Sequence, residues 1–264
     1  MDPILFTLGP LTVAWHGLFS AVGVLVGVTL VAYLAKKSKV ISEDDIYSMA
    51  LWVVPGGIVG ARLLFVLEKL DYFITNPMAA LAINEGGLSI YGGVLGGTIT
   101  GLIYLRAKRL PIGHLTDIIA PGLILGQVVG RIGDIINGEH LGTETDLPWG
   151  VVYTHPNTAG EPGLQVHPAI GYEMIWNLLV FAVLWRWQNK FERKGTIFPI
   201  YLIGYSIGRF LTAFVRKDVV IALGLTQAQL VAIGLVIIAV ACLVYLYRPR
   251  TEVRRAAPSR STRR

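Results

Sequence analysis

Apolar runs of about 20 residues, the length at which a helix crosses a bilayer, recur seven times along the chain. They cover roughly 13–35, 46–67, 87–105, 115–136, 169–187, 196–214 and 227–247. The pattern predicts an all-α, polytopic membrane protein with seven transmembrane helices. Basic residues fall on alternate sides of these spans. The loops after the first, third and fifth spans hold Lys36, Lys37 and Lys39, then Arg106, Lys108 and Arg109, then Lys190, Arg193 and Lys194, and the segment after the seventh opens at Arg248. The remaining loops hold only Lys69, Arg216 and Lys217. The positive-inside rule then places the N-terminus outside and the C-terminus in the cytoplasm. The first run has no basic segment ahead of it and continues into three lysines, the pattern of a true span rather than of a cleaved signal peptide. Residues 1–247 read as one transmembrane domain. Residues 248–264 lack apolar periodicity and read as a disordered basic tail held near anionic lipid.

Composition changes the picture little. Hydrophobic residues are 53% and charged residues 15% of the 264 positions, more apolar surface than one soluble domain can hide. The net charge of +6 sits between spans and in the tail, so it carries topology and gives no reason to expect nucleic acid. Cys242 is the single cysteine and has no histidine or cysteine at ligand spacing, so neither a disulfide framework nor a zinc site is available; no metal or cofactor is expected.

Three arginines stand well inside spans, each toward its outer half: Arg62, Arg131 and Arg209. A charge at that depth is costly and marks either a site or a structural pair. An anionic lipid phosphate satisfies the first reading, and snorkelling or pairing satisfies the second, as for Arg131 with Asp134 at i,i+3. Glu173, one turn inside the fifth span, needs a counter-ion, for which Arg131 and Arg209 are the candidates. Tyr205, Arg209 and Arg216, at i, i+4 and i+11, are expected on one helical face. The glycines from Gly86 to Gly97, Gly92 and Gly93 among them, leave bare backbone for close packing or for approach to a headgroup, and packing is the favoured reading. The loop from Glu68 to Gly86 mixes apolar and polar residues and is suited to lie in the interface. The loop from Asn137 to Pro168 is irregular and expected to line a cavity. His16, His114, His140 and His155 read as solvated or capping residues. The densest polar cluster is Gly130 to Gly142, GRIGDIINGEHLG, which carries Arg131, Asp134, Asn137 and Glu139 out of the fourth span.

With these residues in hand, the chain resembles the prolipoprotein diacylglyceryl transferases. The resemblance rests on Trp15-His16-Gly17, on GGLSIYGG at 86–93, on HPAIGYE at 167–173 and on YSIGRFLTAFVR at 205–216. Its most specific part is the central element, where Gly130, Arg131, Gly133, Asn137, Glu139 and Gly142 match the family pattern. The resemblance implies an enzyme of the bacterial inner membrane that moves the diacylglyceryl group of phosphatidylglycerol onto the lipobox cysteine of a secreted prolipoprotein, releasing glycerol phosphate. Arg131, Arg209, Tyr91 and Glu139 are then the candidate catalytic residues. Arg131, Asn137, Tyr205, Arg209, Arg62, Asp134, Gly92 and Gly93 are the candidate substrate contacts. Guanidinium forks suit a phosphate, and arginines near a thiol of pKa about 8.5 favour its ionisation. Three positions depart from the family pattern: Tyr91 stands where some members carry a histidine proposed as base, Asp134 where asparagine is usual, and Ala213 where a glutamate is usual. One compensation would be for Asp134 to serve as the carboxylate that Ala213 lacks. Two alternatives stay open, a paralogue using the same lipid site for another acceptor and a lipid- or anion-binding transporter. The halves show no inverted repeat of the kind transporters carry.

Overall fold

A computed structural model describes residues 2–9, 11–82, 86–160 and 162–249, so the basic tail expected over 248–264 lies outside the described residues from 250 on. Seven long helices are present among them: α1 (Trp15–Ser38), α2 (Glu43–Glu68), then after the short α3 (Leu70–Thr75), α4 (Ile90–Lys108), α5 (Ile112–Asn137), α6 (Ala169–Trp187), α7 (Ile197–Thr212) and α8 (Gln227–Tyr247). Six of the seven are long and apolar enough to cross a membrane. The exception is α4, whose apolar content is diluted by the glycines of IYGGVLGGTITGLIYLRAK.

Those glycines pack. In lipid, helices associate where small residues let their backbones approach. A Cβ on Gly60 of α2 would lie 2.5 Å from the Gly92 carbonyl oxygen and 2.8 Å from Gly96 Cα of α4. A second glycine face joins α1 to α5, where a Cβ on Gly23 would lie 2.5 Å from the Gly126 oxygen and one on Gly27 2.9 Å from that of Gly122. Away from these seams, one apolar core gathers Ala35, Ile41, Ile46 and Leu115 at the bundle end opposite the polar cluster. Another fills the space between α5, α6 and α7 with Ile124, Leu184, Ile197 and Tyr201. The start of α7 is capped from α5: Asp117 accepts from the backbone N–H groups of Gly195 at 2.7 Å and Ile197 at 2.8 Å. That satisfies donors which a helix start leaves open.

The fold is not wholly helical. Among the described residues three antiparallel strand pairs occur, β1 (Ile4–Leu8) with β2 (Leu11–Ala14), β3 (Val151–Val152) with β4 (Gln165–Val166), and β5 (Val220–Ala222) with β6 (Leu225–Thr226). Strands of two to five residues are too short to print an alternation on the sequence. The stretch after α2 forms α3 and a 3-10 turn at Pro77–Leu81, with Tyr72, Ile74, Met78 and Leu81 exposed and Phe73 buried on Phe65.

Candidate active site

The polar cluster is assembled where the last turns of α5 meet the first turns of α1 and α6. Helix α5 carries Arg131, Asp134 and Asn137 on its final two turns and stops at Gly138, whose φ of 67° is the left-handed value that glycine takes at a helix end. Gly133 of the same turn lies under α1: a Cβ there would stand 2.6 Å from His16 Cα and 2.9 Å from the Trp15 oxygen. The glycine of the central element therefore exists to let the two helices touch. Gly133→Ala is expected to force α1 outward, costing about 1–3 kcal/mol and lowering activity, as read by thermal unfolding in detergent and by turnover.

From this contact an unbroken chain of alternating charge crosses the bundle. His16 Nδ1 lies 2.6 Å from Asp134 Oδ1, and Asp134 Oδ2 accepts from Arg131 Nη1 at 2.6 Å. Arg131 Nη2 donates to Glu173 Oε1 at 2.7 Å, and Glu173 Oε2 accepts from Arg216 Nη1 at 3.4 Å. Asp218 Oδ2 then bridges Arg216 Nε at 3.5 Å and Arg209 Nη2 at 3.2 Å. Glu173 is 1% exposed, which a carboxylate tolerates only with both oxygens paired. Three arginines face three carboxylates, so the chain is neutral and can be buried. Tyr205 of α7 stands within electrostatic range of Glu173, Arg131, Arg209 and Arg216. Asn137 donates to Glu139 Oε1 at 3.1 Å, while its own Oδ1 is buried with no partner among the described residues.

The arrangement corrects three expectations. Arg216 does not share a helical face with Tyr205 and Arg209: α7 ends at Thr212, tightens into a 3-10 turn at Ala213–Val215, and leaves Arg216 in extended backbone. It is held there by the loop that follows α5, through Thr143 N–H to the Val215 oxygen at 2.9 Å and Lys217 N–H to the Leu141 oxygen at 3.0 Å. Gly142 allows this, since any side chain would collide with the His167 backbone. Arg209 is not a partner of Glu173, whose two cations are Arg131 and Arg216. Asp134 does not replace the carboxylate missing at the buried Ala213, because both its oxygens are taken by His16 and Arg131; Asp218 fills that role for Arg209 and Arg216.

Arg62 stands apart from the cluster. Its five N–H donors go to five backbone oxygens, those of Ala79, Ala80, Ala82, Gly86 and Gly87, at 2.6–3.2 Å, and its guanidinium also lies 5.5 Å from the Phe65 and Phe73 rings. All the donors an arginine owns are thereby used. The residue braces the loop between α2 and α4 and has none left for a phosphate, contrary to its expected place among the substrate contacts. Arg62→Ala is expected to lower the unfolding temperature while reducing kcat less than tenfold, because it removes the brace and leaves the charge chain whole. Tyr91 is exposed on α4, which packs chiefly on α2, and makes no hydrogen bond among the described residues. Gly92 is buried in the α2 seam, where a Cβ would meet Leu64 Cβ at 2.6 Å, and Gly93 faces Ala61 at 3.6 Å. Tyr91, Gly92 and Gly93 are therefore not brought to the charge chain. Asp134, with both oxygens filled and a negative charge, serves Arg131 and His16 rather than an anionic substrate.

Arg131 and Arg209 differ from Arg62 in keeping donors. Arg131 is oriented by two carboxylates that use two of its five N–H groups. Arg209 Nη1 is buried without a hydrogen-bond partner among the described residues. Burial and the neighbouring positive charge of Arg209 press on Arg216, pushing its pKa below the usual range, and an anion beside them relieves that pressure. A separate apolar groove of about 310 Å³ between α7 and α8 is lined by Ser206, Ile207, Phe210, Leu211, Ala232 and Val236 among others, and Arg209 is not among its lining residues. His16, Asp134 and Glu139 bring three potential ligand atoms within 4.8 Å of one another. Arg131 already occupies one Asp134 oxygen and sets its positive charge against a metal ion, so the set reads as a hydrogen-bonded group and not as a metal centre. Sequence reading missed two members of the site. His16 opens α1 inside the Trp-His-Gly element, which was the available signal, and Asp218 follows the conspicuous Arg216-Lys217 pair.

Apolar helices around a charge-paired set of arginines define a multi-pass membrane protein with a polar cluster at one end of its bundle. Comparison with known proteins is specific about which one. A family model described as prolipoprotein diacylglyceryl transferase matches residues 3–245. Proteins named phosphatidylglycerol–prolipoprotein diacylglyceryl transferase are similar over nearly their full length. That of Trichormus variabilis is 38% identical over 95% of this chain and 93% of its own, that of Dehalococcoides mccartyi 36% over 96% and 95%, and that of Clostridioides difficile 34% over 93% and 96%. The chain belongs to the prolipoprotein diacylglyceryl transferase family.

Proposed function

We propose that this protein transfers the diacylglyceryl group of phosphatidylglycerol to the cysteine thiol of a prolipoprotein lipobox, releasing glycerol phosphate. The names of its relatives supply the two substrates, and the contrast among its arginines supports the chemistry. Arg62 is consumed by backbone oxygens, whereas Arg131 and Arg209 are fixed by carboxylates and keep N–H groups for a ligand. Donors held before the reaction begins cost no reorganisation when charge develops on the phosphate oxygens. In this reading Arg209 Nη1 and the remaining N–H groups of Arg131 hold the phosphate and stabilise it as the C–O bond to glycerol breaks. Tyr205 and Asn137 orient it, and Glu139 fixes Asn137. No metal or cofactor enters the reaction.

All seven long helices span the bacterial cytoplasmic membrane, with the N-terminus outside and the C-terminus inside, following the basic loops. That orientation turns the charge chain toward the outer leaflet, where a secreted precursor presents its cysteine. Domain organisation follows: residues 1–247 form one catalytic unit and the tail is dispensable for the chemistry. The test is release of glycerol phosphate from phosphatidylglycerol vesicles in the presence of a lipobox peptide, compared with the same peptide carrying serine for cysteine. Release with the cysteine peptide alone is expected; release independent of the cysteine, or none, would overturn the reading.

A further inference from the structure

We propose that His16, held by Asp134, takes the proton from the acceptor thiol; this rests on the transferase reading above. The ring is built for one polarity. Asp134 Oδ1 at 2.6 Å and Glu139 Oε2 at 3.6 Å both face Nδ1, so the proton of the neutral ring stays on that nitrogen and the lone pair is on Nε2. A carboxylate on one ring nitrogen fixes the tautomer and strengthens the other as a base. The His16 side chain is 44% exposed, and no described residue hydrogen-bonds Nε2, so that nitrogen is open to an incoming group.

The placement is shared with the phosphate site. Gly133 lets α1 lie on α5 so that His16 meets Asp134, and the second Asp134 oxygen holds Arg131. One carboxylate therefore sets both the base and the phosphate-binding guanidinium, fixing the distance between them. Tyr91 is no substitute: a phenol hydroxyl is a poor proton acceptor beside an imidazole, and it lies on the α2–α4 pair.

The step balances. The S–H proton passes to His16 Nε2, the sulfur attacks the glycerol carbon that bears the phosphate, and the C–O bond breaks with its electrons staying on the departing glycerol phosphate. A thioether forms, and His16 returns its proton to water or to the product. The charged and titratable groups around the ring are Asp134, Glu139 and Arg131, all from α5 and the residues just after it.

The experiment uses the full chain in phosphatidylglycerol nanodiscs with two acceptor peptides, one with cysteine and one with selenocysteine, whose selenol ionises at neutral pH unaided. His16→Gln is expected to lower kcat for the cysteine peptide about 10²-fold at pH 7. The loss should shrink as pH rises toward the thiol's own pKa of about 8.5. KM for phosphatidylglycerol should stay within twofold, and the selenocysteine peptide should react at near the wild-type rate. His140→Gln, removing the other imidazole near these charges, should leave turnover within threefold, and a chelator should not affect the wild type. Equal losses with both peptides would assign His16 a structural role and overturn the proposal, as would unchanged turnover in His16→Gln, loss in His140→Gln instead, or inhibition by the chelator. Failure of the wild type with both peptides would instead remove the transferase reading itself.

Discussion

Arg209→Ala is expected to lower turnover about 10²–10³-fold, the usual effect of deleting a preorganised donor to developing charge, with little change in folding. The reason for the split is local. Asp218 Oδ2, the carboxylate paired with Arg209, also faces Arg216 Nε at 3.5 Å, so removing Arg209 strands no charge. What goes is Nη1, the buried donor with no partner among the described residues. The comparison is kcat together with the thermal unfolding midpoint in detergent. Activity within threefold of wild type would mean that the phosphate is held elsewhere.

Arg131→Ala should abolish measurable turnover, but it confounds two effects. Asp134 and Glu173 are 3% and 1% exposed, and breaking a buried ion pair costs roughly 3–5 kcal/mol. The informative variant is Arg131→Lys, which keeps the charge and loses the planar fork that reaches two carboxylates while presenting further donors. It should remain folded with kcat reduced about 10²-fold, a loss of about 2.7 kcal/mol in transition-state stabilisation. Full activity in Arg131→Lys would show that charge alone suffices and that the fork geometry has no part in the reaction.

How much of this was legible in the sequence follows from what a linear pattern can carry. Apolar runs located every long helix among the described residues, because in lipid a spanning helix must be apolar over most of its length, although α4 is not itself long and apolar enough to cross a membrane. The run at 87–105 corresponds to α4, Ile90–Lys108, and the one at 115–136 to α5, Ile112–Asn137. Hydrophobicity does not give the rotation of one helix against another. The Arg131–Asp134 pair was visible as i,i+3, whereas His16 and Asp134, 118 residues apart, meet only because Gly133 lets α1 descend onto α5. The helical-face argument for Arg216 failed because nothing in Ala213-Phe214-Val215 signals that α7 tightens and stops. The chain beyond the stop is held from outside, by the Thr143 N–H donating to the Val215 oxygen and the Leu141 oxygen accepting from the Lys217 N–H. Resemblance to the family pointed to the central element, yet its three departures read differently in three dimensions. Asp134 serves His16 and Arg131, Asp218 attends the arginines near Ala213, and Tyr91 stays on the α2–α4 pair.

The measurement that bears most directly on the central claim is the mass of a lipobox peptide after incubation with phosphatidylglycerol and the purified protein, before and after hydroxylamine. The account predicts a gain of one diacylglyceryl group on the cysteine whose thioether link survives hydroxylamine. A gain that hydroxylamine removes from the sulfur would mean acyl transfer through a thioester, and either that result or an unmodified peptide would contradict diacylglyceryl transfer by this chain.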